Sequence, residues 1–317
     1  MPDVKFKHNL HLHLIVFIWG FTAILGKLIS LDALPLVWWR MSLAVVLIFG
    51  YIYYRKTSYK LARKDIILLL ISGLIIALHW ITFFKAIKVS NISITLACLS
   101  TGAFFTSILE PIFYKRKMIW YEIVFGLIVL IGLYFVIEST EPNFIQKSMN
   151  SNMSGTMQGV LLALSSAFLS AIFSIINGKF AQRIDATIVS FYELLGGVLF
   201  LSVFLLFTKQ FSTAFFNITL SDFMWLGILA SVCTAYAFIA SVNVMKYISP
   251  YTVMLTINLE PVYAIILALI VFGETEEMNS EFYLGACIVL FVVVLNGILK
   301  NMKSIVKKVG KYKPSKK

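Results

Sequence analysis

The chain has 317 residues, of which 60% are hydrophobic and 13% are charged, and its formal net charge is +12. Soluble domains contain about 45–50% apolar and about 25% charged residues, so this composition excludes a soluble globular domain and predicts a polytopic membrane protein. The three cysteines lie inside apolar segments without metal-ligand spacing, and the sequence predicts neither a metal site nor another cofactor.

Apolar runs follow one another along almost the whole chain. A helix needs about 20 apolar residues to cross the roughly 30 Å of bilayer hydrocarbon. On that basis the sequence predicts an all-α membrane protein with ten transmembrane helices, at 10–31, 33–54, 65–88, 91–114, 119–138, 155–180, 185–208, 221–246, 250–272 and 279–301.

The longest polar connection, 139–154, lies near the middle of the chain and predicts a linker between two five-helix halves. These halves are 1–138 and 155–301, and a basic tail, 302–317, follows them. Most of the 27 lysines and arginines fall on the side of the predicted membrane that holds both termini. The positive-inside rule then places both termini in the cytoplasm and the linker on the other side. The tail is interpreted as a topology determinant, and no nucleic-acid partner is expected.

The two halves share weak internal similarity. Trp38–Met41 in the second predicted span falls on Phe191–Leu194 in the seventh. Because each half has an odd number of spans, the second half must insert upside down relative to the first. Such inverted repeats are typical of secondary transporters, whose substrate site lies near the bilayer midplane between the halves.

One acidic residue lies deep in the ninth predicted span. At 1.5 Å per residue, Glu260 lies about 15 Å from the start of that span, which is the bilayer midplane. A carboxylate at this depth costs roughly 2.5–3.5 kcal/mol on insertion scales. Glu260 is interpreted either as a carboxylate that binds protons or a substrate ammonium, or as a structural acid beside a kink at Pro261. Asn258 is expected to satisfy backbone carbonyls that this proline frees.

Three further ionisable residues lie inside predicted spans. Arg40 cannot lose its charge and needs a partner, for which Glu193 and Glu260 are the candidates by depth. It is either an anion-binding or gating residue, or half of a permanent structural pair. His79 is either a proton relay or a hydrogen-bonded packing residue beside Trp80.

Aromatic residues make up 15% of the chain, and some are expected to line a cavity that suits organic solutes. The candidates are Trp19, Trp39, Trp80 and Tyr236, and for each the alternative is packing against lipid or in the core. Small residues in the fifth and tenth spans predict close helix packing, either at the periphery or in a homodimer.

Several motifs carry a resemblance to a known family. They are Ile18–Gly20 in the first span, Ser100–Thr106 in the fourth with Pro111 and Tyr114–Lys117 closing that span, and Glu260-Pro261 followed by Phe272–Glu274. With ten spans in two halves, these stretches resemble the EamA-type branch of the drug/metabolite transporter superfamily. That family usually has a proline near Gly102 and an acid near Arg116, and this chain has neither.

The resemblance implies a carrier of small organic solutes, such as amino acids, metabolites or drug-like compounds, which often acts as an exporter. It also implies a central cavity that both halves share, with peripheral or dimer-forming fifth and tenth spans. The expected location of such a multi-pass protein is a bacterial cytoplasmic (inner) membrane.

The predicted function is secondary transport by alternating access. The chain has no G-x-x-x-x-G-K-[ST] nucleotide-binding motif, so protons, other ions or the solute's own gradient would drive transport. An intramembrane enzyme and a non-transporting receptor or scaffold are the alternatives. His79 is the one histidine after residue 13, so no metalloprotease motif exists, and no long loop favours a receptor. A passive channel is a further alternative, although nothing resembles a selectivity filter.

Overall fold

The computed structural model describes residues 2–115, 155–248, 259–273 and 279–310, with isolated positions between 117 and 138 and between 253 and 257. Every element in this part of the chain is helical, which confirms the predicted all-α class for the described residues. A π-helical segment, Ser231–Tyr236, joins the helices Leu220–Ala230 and Ala237–Val244. The helices are α1 (Pro2–Leu28), α2 (Ala33–Arg55), α3 (Arg63–Val89), α4 (Ile92–Leu99), α5 (Gly102–Phe113), α6 (Gly155–Phe180), α7 (Ala186–Phe207), α8 (Thr213–Phe216), α9 (Leu220–Ala230), α10 (Ala237–Val244), α11 (Glu260–Phe272) and α12 (Ser280–Gly310).

Seven described helices are long and apolar enough to cross a membrane, namely Lys7–Leu28, Ala33–Arg55, Arg63–Val89, Ile92–Phe113, Gly155–Phe180, Ala186–Phe207 and Leu220–Val244. Two shorter apolar helices, Val262–Phe272 and Ser280–Val292, fall within the predicted ninth and tenth spans. Most of the predicted fifth span, 119–138, lies outside the described residues. Ten spans therefore stay a prediction.

The predicted fourth span is interrupted. It divides into α4 and α5 at Ser100 and Thr101. The hydroxyl of Ser100 donates to the Ala97 carbonyl at 2.6 Å, and that of Thr101 donates to the Cys98 carbonyl at 2.7 Å. Such local bonds compete with the regular helical pattern and favour a break at this point. At the other end of the chain, α12 continues to Gly310, so the first residues of the predicted tail are helical.

Polar side chains cap several helices and fix where they begin. The side chain of Asn91 accepts from the Ile94 backbone at 2.8 Å at the start of α4, and Asp185 accepts from Thr187 at 2.9 Å at the start of α7. At the start of α9, the Thr219 side chain accepts from the backbone N–H of Asp222. Because the first N–H groups of a helix have no partner within it, these caps stabilise abrupt helix starts between apolar runs.

Contacts at helix ends show at which face of the bundle α10 and α11 end. We call the end of the bundle where α1 begins the N-terminal face, and the end where α1 finishes the opposite face. At the N-terminal face, the ring of His8 stacks on Tyr247 with centroids 3.9 Å apart. At the opposite face, the Lys27 ammonium lies 4.3 Å from the ring centroid of Phe272. The end of α10 therefore lies at the N-terminal face, and the end of α11 lies at the opposite face.

An ion pair joins two elements at the N-terminal face. The Arg183 guanidinium, just after α6, donates two 2.7 Å hydrogen bonds to the Asp65 carboxylate at the start of α3. These bonds raise the pKa of Arg183 above its ordinary value. The pair is exposed on the arginine side and links the two halves of the chain.

At the opposite face, Asp222 at the start of α9 binds the end of α1. Its carboxylate accepts from the Ser30 backbone at 2.7 Å, from the Ser30 hydroxyl at 2.6 Å and from Thr219 at 2.8 Å. Next to it, the Lys88 ammonium donates to the Ile29 carbonyl at 3.0 Å. Polar contacts between the halves are thus present at both faces of the bundle.

The two halves pack closely where α3 crosses α7. A Cβ atom built on Gly73 would overlap the Glu193 carbonyl, and one built on Gly196 would overlap the backbone of Leu70. Glycines at both sides of the crossing let the two backbones touch, as small residues do between helices in membranes.

Replacing Gly73 with alanine is expected to destabilise the protein by about 1–3 kcal/mol or more, because the added methyl meets backbone that cannot rotate away. The measurement is the midpoint of thermal unfolding in detergent. Gly50→Ala in α2 is the matched control, since no heavy atom lies within 4 Å of a Cβ built there. If both variants unfold at the wild-type temperature, the close crossing of α3 and α7 is wrong.

Candidate functional site

A central cavity of about 90 Å³ lies among helices of both halves. Residues of α1, α2, α3, α6, α10 and α11 line it, together with residues near the break between α4 and α5. Its polar lining residues include Arg40, His79, Ser174, Asn177, Ser241 and Glu260. The remaining wall is largely aromatic and contains Trp19, Trp80, Phe83, Phe173 and Phe238. Five predicted candidates, Trp19, Arg40, His79, Trp80 and Glu260, therefore come together in one place.

Arg40 is the largest fully buried side chain of the described bundle, with 1% of its surface exposed. Its Nε donates to the Thr234 hydroxyl at 2.6 Å. Its guanidinium carbon lies 3.8 Å from the ring centroid of Trp80, a cation–π contact that compensates part of the lost hydration. Its Nη1 has no hydrogen-bond partner among the described residues. Arg40 is thus firmly held, and within the described part of the chain one of its donor groups is left unbonded.

Glu260 is the first residue of α11 and has 8% of its surface exposed. The positive end of a helix dipole stabilises a carboxylate in this position, which helps to explain an acid at such depth. Pro261 lies in the first turn, where its missing N–H has no helical partner to lose. Most of the segment that precedes Leu259 lies outside the described residues, so the kink at Pro261 stays a prediction. Asn258 lies outside the described residues.

Arg40 and Glu260 interact electrostatically across the cavity, but no ion pair within 4.0 Å joins them in the described structure. Opposite charges that share a buried cavity without contact are costly in a low-dielectric region. A solute, a proton or water that enters between them would lower this cost.

His79 is fixed by Ser166 of α6. Its Nδ1 lies 2.9 Å from the Ser166 carbonyl oxygen and 2.8 Å from the Ser166 hydroxyl. Because a carbonyl oxygen can only accept, Nδ1 donates to it, and Nε2 is left as the acceptor. The Ser166 hydroxyl also donates to the backbone carbonyl of His79 at 3.0 Å. This geometry matches the predicted packing role, although the ring still lines the cavity.

Glu193 does not pair with Arg40, contrary to the prediction that offered it as a partner. It lies outside the lining of the central cavity and is 0% exposed, at the crossing of α3 and α7. Its Oε1 accepts from the Ser72 hydroxyl at 2.8 Å. Asn177 lies beside it, but Oε2 has no hydrogen-bond partner in the described part of the chain. The rotation of α7 turns this carboxylate towards α3, whereas Arg40 points towards Thr234.

Trp39 and Tyr236 do not line the central cavity, so their prediction as aromatics of that cavity is wrong. Trp39 follows Arg40 directly, and about 100° of helical rotation turns it away, into an aromatic cluster with Trp38. The Tyr236 hydroxyl lies 2.9 Å from the Nε2 atom of His11, and Tyr236 borders a second cavity of about 650 Å³. This second cavity lies between α2, the start of α7 and α10.

Two functional candidates were missed in the sequence. Asn177 lines the central cavity from α6, and its polar side chain inside an apolar run was a usable signal. Thr234 holds Arg40 but does not line the cavity. Threonine is common in membrane helices, and its spacing from Arg40 gives no signal, because 194 residues separate the two.

Long apolar helices packed around a buried, charged cavity define a multi-pass membrane protein. The sequence model of the EamA-like transporter family matches twice, at residues 9–138 and 157–298. The chain therefore belongs to the EamA-like transporter family and is a membrane transporter of the drug/metabolite transporter superfamily. This result confirms the resemblance seen in its motifs.

Among solved structures, one crystal structure matches this chain with a TM-score of 0.66 and 11% sequence identity. The match covers 93% of this chain and 98% of the chain in that structure. At that identity the likeness shows the fold alone. No curated protein sequence matches this chain.

Proposed function

We propose that this membrane transporter is a secondary carrier that exports a small zwitterionic solute by alternating access, in exchange for protons. Its proposed topology is ten transmembrane spans in two inverted five-helix repeats, with both termini in the cytoplasm of a bacterial cell. One observation carries the proposal. Arg40 from the first half and Glu260 from the second face the same buried cavity with opposite charges and no ion pair between them.

The proposed solute carries an anionic and a cationic group, and an amino acid is the simplest example. The Nη1 of Arg40, which no described residue binds, is the group that would bind a carboxylate, since guanidinium groups match carboxylates in shape and charge. Glu260 would bind the ammonium. Aromatic walls, including Trp19 and Trp80, suit the organic remainder of the solute. At about 90 Å³ the cavity accommodates only a small solute, so larger ones require it to widen.

Proton exchange follows from the same two charges. An ammonium group and a proton compete for the Glu260 carboxylate, so binding of one releases the other. A carrier that changes face only when this carboxylate is occupied would move solute one way and protons the other. Solute then leaves the cell as protons enter it.

The direct test is flux in proteoliposomes that contain the purified protein. A ¹⁴C-labelled amino-acid mixture is expected to cross the membrane and to accumulate on the more acidic side of an imposed pH gradient. Benzoate, which has only the anionic group, and ethidium, which has only a cationic one, are expected to move at least ten times more slowly. Folded protein that moves none of these probes would refute the proposal.

The direction of transport is tested in cells. Overexpression is expected to protect growth against toxic concentrations of amino acids and their analogues. Net inward movement of labelled amino acids under physiological gradients would overturn export while leaving transport itself intact.

A further inference from the structure

The π-helical segment Ser231–Tyr236 interrupts an otherwise α-helical span and lies beside the central cavity. Single π turns are rare and occur frequently at functional sites, because the wider turn changes which backbone groups are paired. Here the Thr234 hydroxyl donates to the Leu229 carbonyl, five residues earlier, at 2.7 Å. Thr234 is 0% exposed, so both its hydroxyl and its rotamer are fixed by the surrounding protein.

Two cavity side chains are bound by neighbouring residues of this segment. The Nε of Arg40 donates to the Thr234 hydroxyl at 2.6 Å. The indole Nε1 of Trp19 donates to the Cys233 carbonyl at 3.2 Å, and the Cys233 thiol contacts the Ile18 carbonyl at 3.6 Å. The segment thus joins α1 and α2 of the first half to a span of the second half.

The Thr234 hydroxyl can hold Arg40 because it can donate one hydrogen bond and accept another. Its single hydrogen is used on the Leu229 carbonyl, so the oxygen can only accept from Arg40. Trp80 covers the face of the same guanidinium. Together these contacts hold Nε and one face of the guanidinium, and Nη1 has no hydrogen-bond partner among the described residues.

We propose that Thr234 is a positioning residue of the transport site: through the π-helical segment it holds Arg40 so that Nη1 is presented to the solute. The Cys233 carbonyl holds Trp19 in the same way. Thr234 does not line the cavity and therefore acts through Arg40. The inference rests on the proposed function, because it assigns Arg40 to solute binding.

The test compares Thr234→Val with Thr234→Ser in proteoliposomes, with the ¹⁴C-labelled amino-acid mixture as the probe. Valine keeps the shape and removes the acceptor. It is expected to raise the half-saturating concentration about 10- to 100-fold, the effect of losing a buried hydrogen bond to a charged group, and to change the maximal rate less than threefold. Serine keeps the hydroxyl and is expected to restore the wild-type half-saturating concentration within about threefold.

Ser231→Ala is the matched control. It removes a hydroxyl from the same π-helical segment, but that hydroxyl donates to the Gly227 carbonyl at 2.6 Å and does not contact Arg40. Wild-type kinetics are expected. The thermal unfolding midpoint of each variant separates loss of folded protein from loss of affinity, since unfolded protein lowers the maximal rate without changing the half-saturating concentration.

The outcomes distinguish this inference from the proposed function. If Arg40→Gln impairs transport but Thr234→Val keeps the wild-type half-saturating concentration, Thr234 is not a positioning residue and the proposed function stands. If Thr234→Val lowers only stability and maximal rate while Thr234→Ser behaves as wild type, the hydroxyl is merely structural and the inference is wrong. If the wild-type protein moves no labelled amino acid, both proposals are overturned together.

Discussion

Replacing Arg40 with glutamine is expected to lower amino-acid flux in proteoliposomes at least 100-fold. Arg40 is buried and supplies the one positive charge that the described residues place in the central cavity. Losing a charge-assisted bond to the solute accounts for roughly 1.5–3 kcal/mol, or about 10- to 100-fold. Glutamine also leaves Glu260 without an opposite charge in a low-dielectric region, which adds to the loss.

Arg40→Lys separates the role of charge from that of guanidinium geometry, because it keeps the positive charge. Lysine has no planar guanidinium to lie on Trp80 and no Nε donor aimed at Thr234. Less than a tenth of wild-type flux is expected. If lysine restores full flux, charge alone matters and the geometry set by the π-helical segment does not.

The control for both variants is Arg63→Gln at the start of α3, where the side chain is exposed. Flux within twofold of wild type is expected for it. Thermal unfolding in detergent verifies that each Arg40 variant is folded. A folded Arg40→Gln protein with wild-type flux would remove Arg40 from the transport site.

The sequence predicts the general architecture well, because apolar runs of sufficient length have few alternatives to membrane-spanning helices. It also identifies the unusual charges, because a buried Arg40 or Glu260 is costly wherever the helix is placed. The depth of these residues follows from counting along a helix. Depth is therefore the part of the candidate site that simple counting can predict.

Rotation about the helix axis is harder to predict. Glu193 and Arg40 have similar predicted depths, yet Glu193 faces α3 while Arg40 faces the cavity. Trp39 has the same depth as Arg40 and points elsewhere. In a membrane helix, apolar residues occur on both lipid-facing and buried sides, so a hydrophobic stripe does not reveal which side faces the cavity.

Irregular backbone is likewise invisible in the residue pattern. The segment around Thr234 has the sequence of an ordinary apolar helix, yet it forms a π turn at the point where Trp19 and Arg40 of the other half bond to it. The break at Ser100 depends on whether hydroxyl groups bond locally or to a neighbouring helix. The residue pattern alone does not show which of these bonds form.

Replacing Glu260 with glutamine is expected to separate transport from its driving force. Glutamine has nearly the same shape but cannot exchange a proton at any pH. In wild-type proteoliposomes an imposed pH gradient should accumulate labelled amino acids on the acidic side. In Glu260→Gln that accumulation should fall at least tenfold, to the level seen without a gradient. Exchange of labelled for unlabelled amino acid at saturating concentration should persist, because Arg40 still binds the carboxylate.

Glu193→Gln is the matched comparison, because Glu193 is a second fully buried carboxylate that lies outside the cavity and bonds to Ser72. Its amide oxygen can still accept from that hydroxyl, so pH-driven accumulation is expected to stay within threefold of wild type. The two substitutions are thus expected to differ in one assay: Glu260→Gln loses pH-driven accumulation, and Glu193→Gln keeps it. If Glu193→Gln loses the pH dependence and Glu260→Gln keeps it, protons are carried at the crossing of α3 and α7. Glu260 would then be a structural acid at the start of α11.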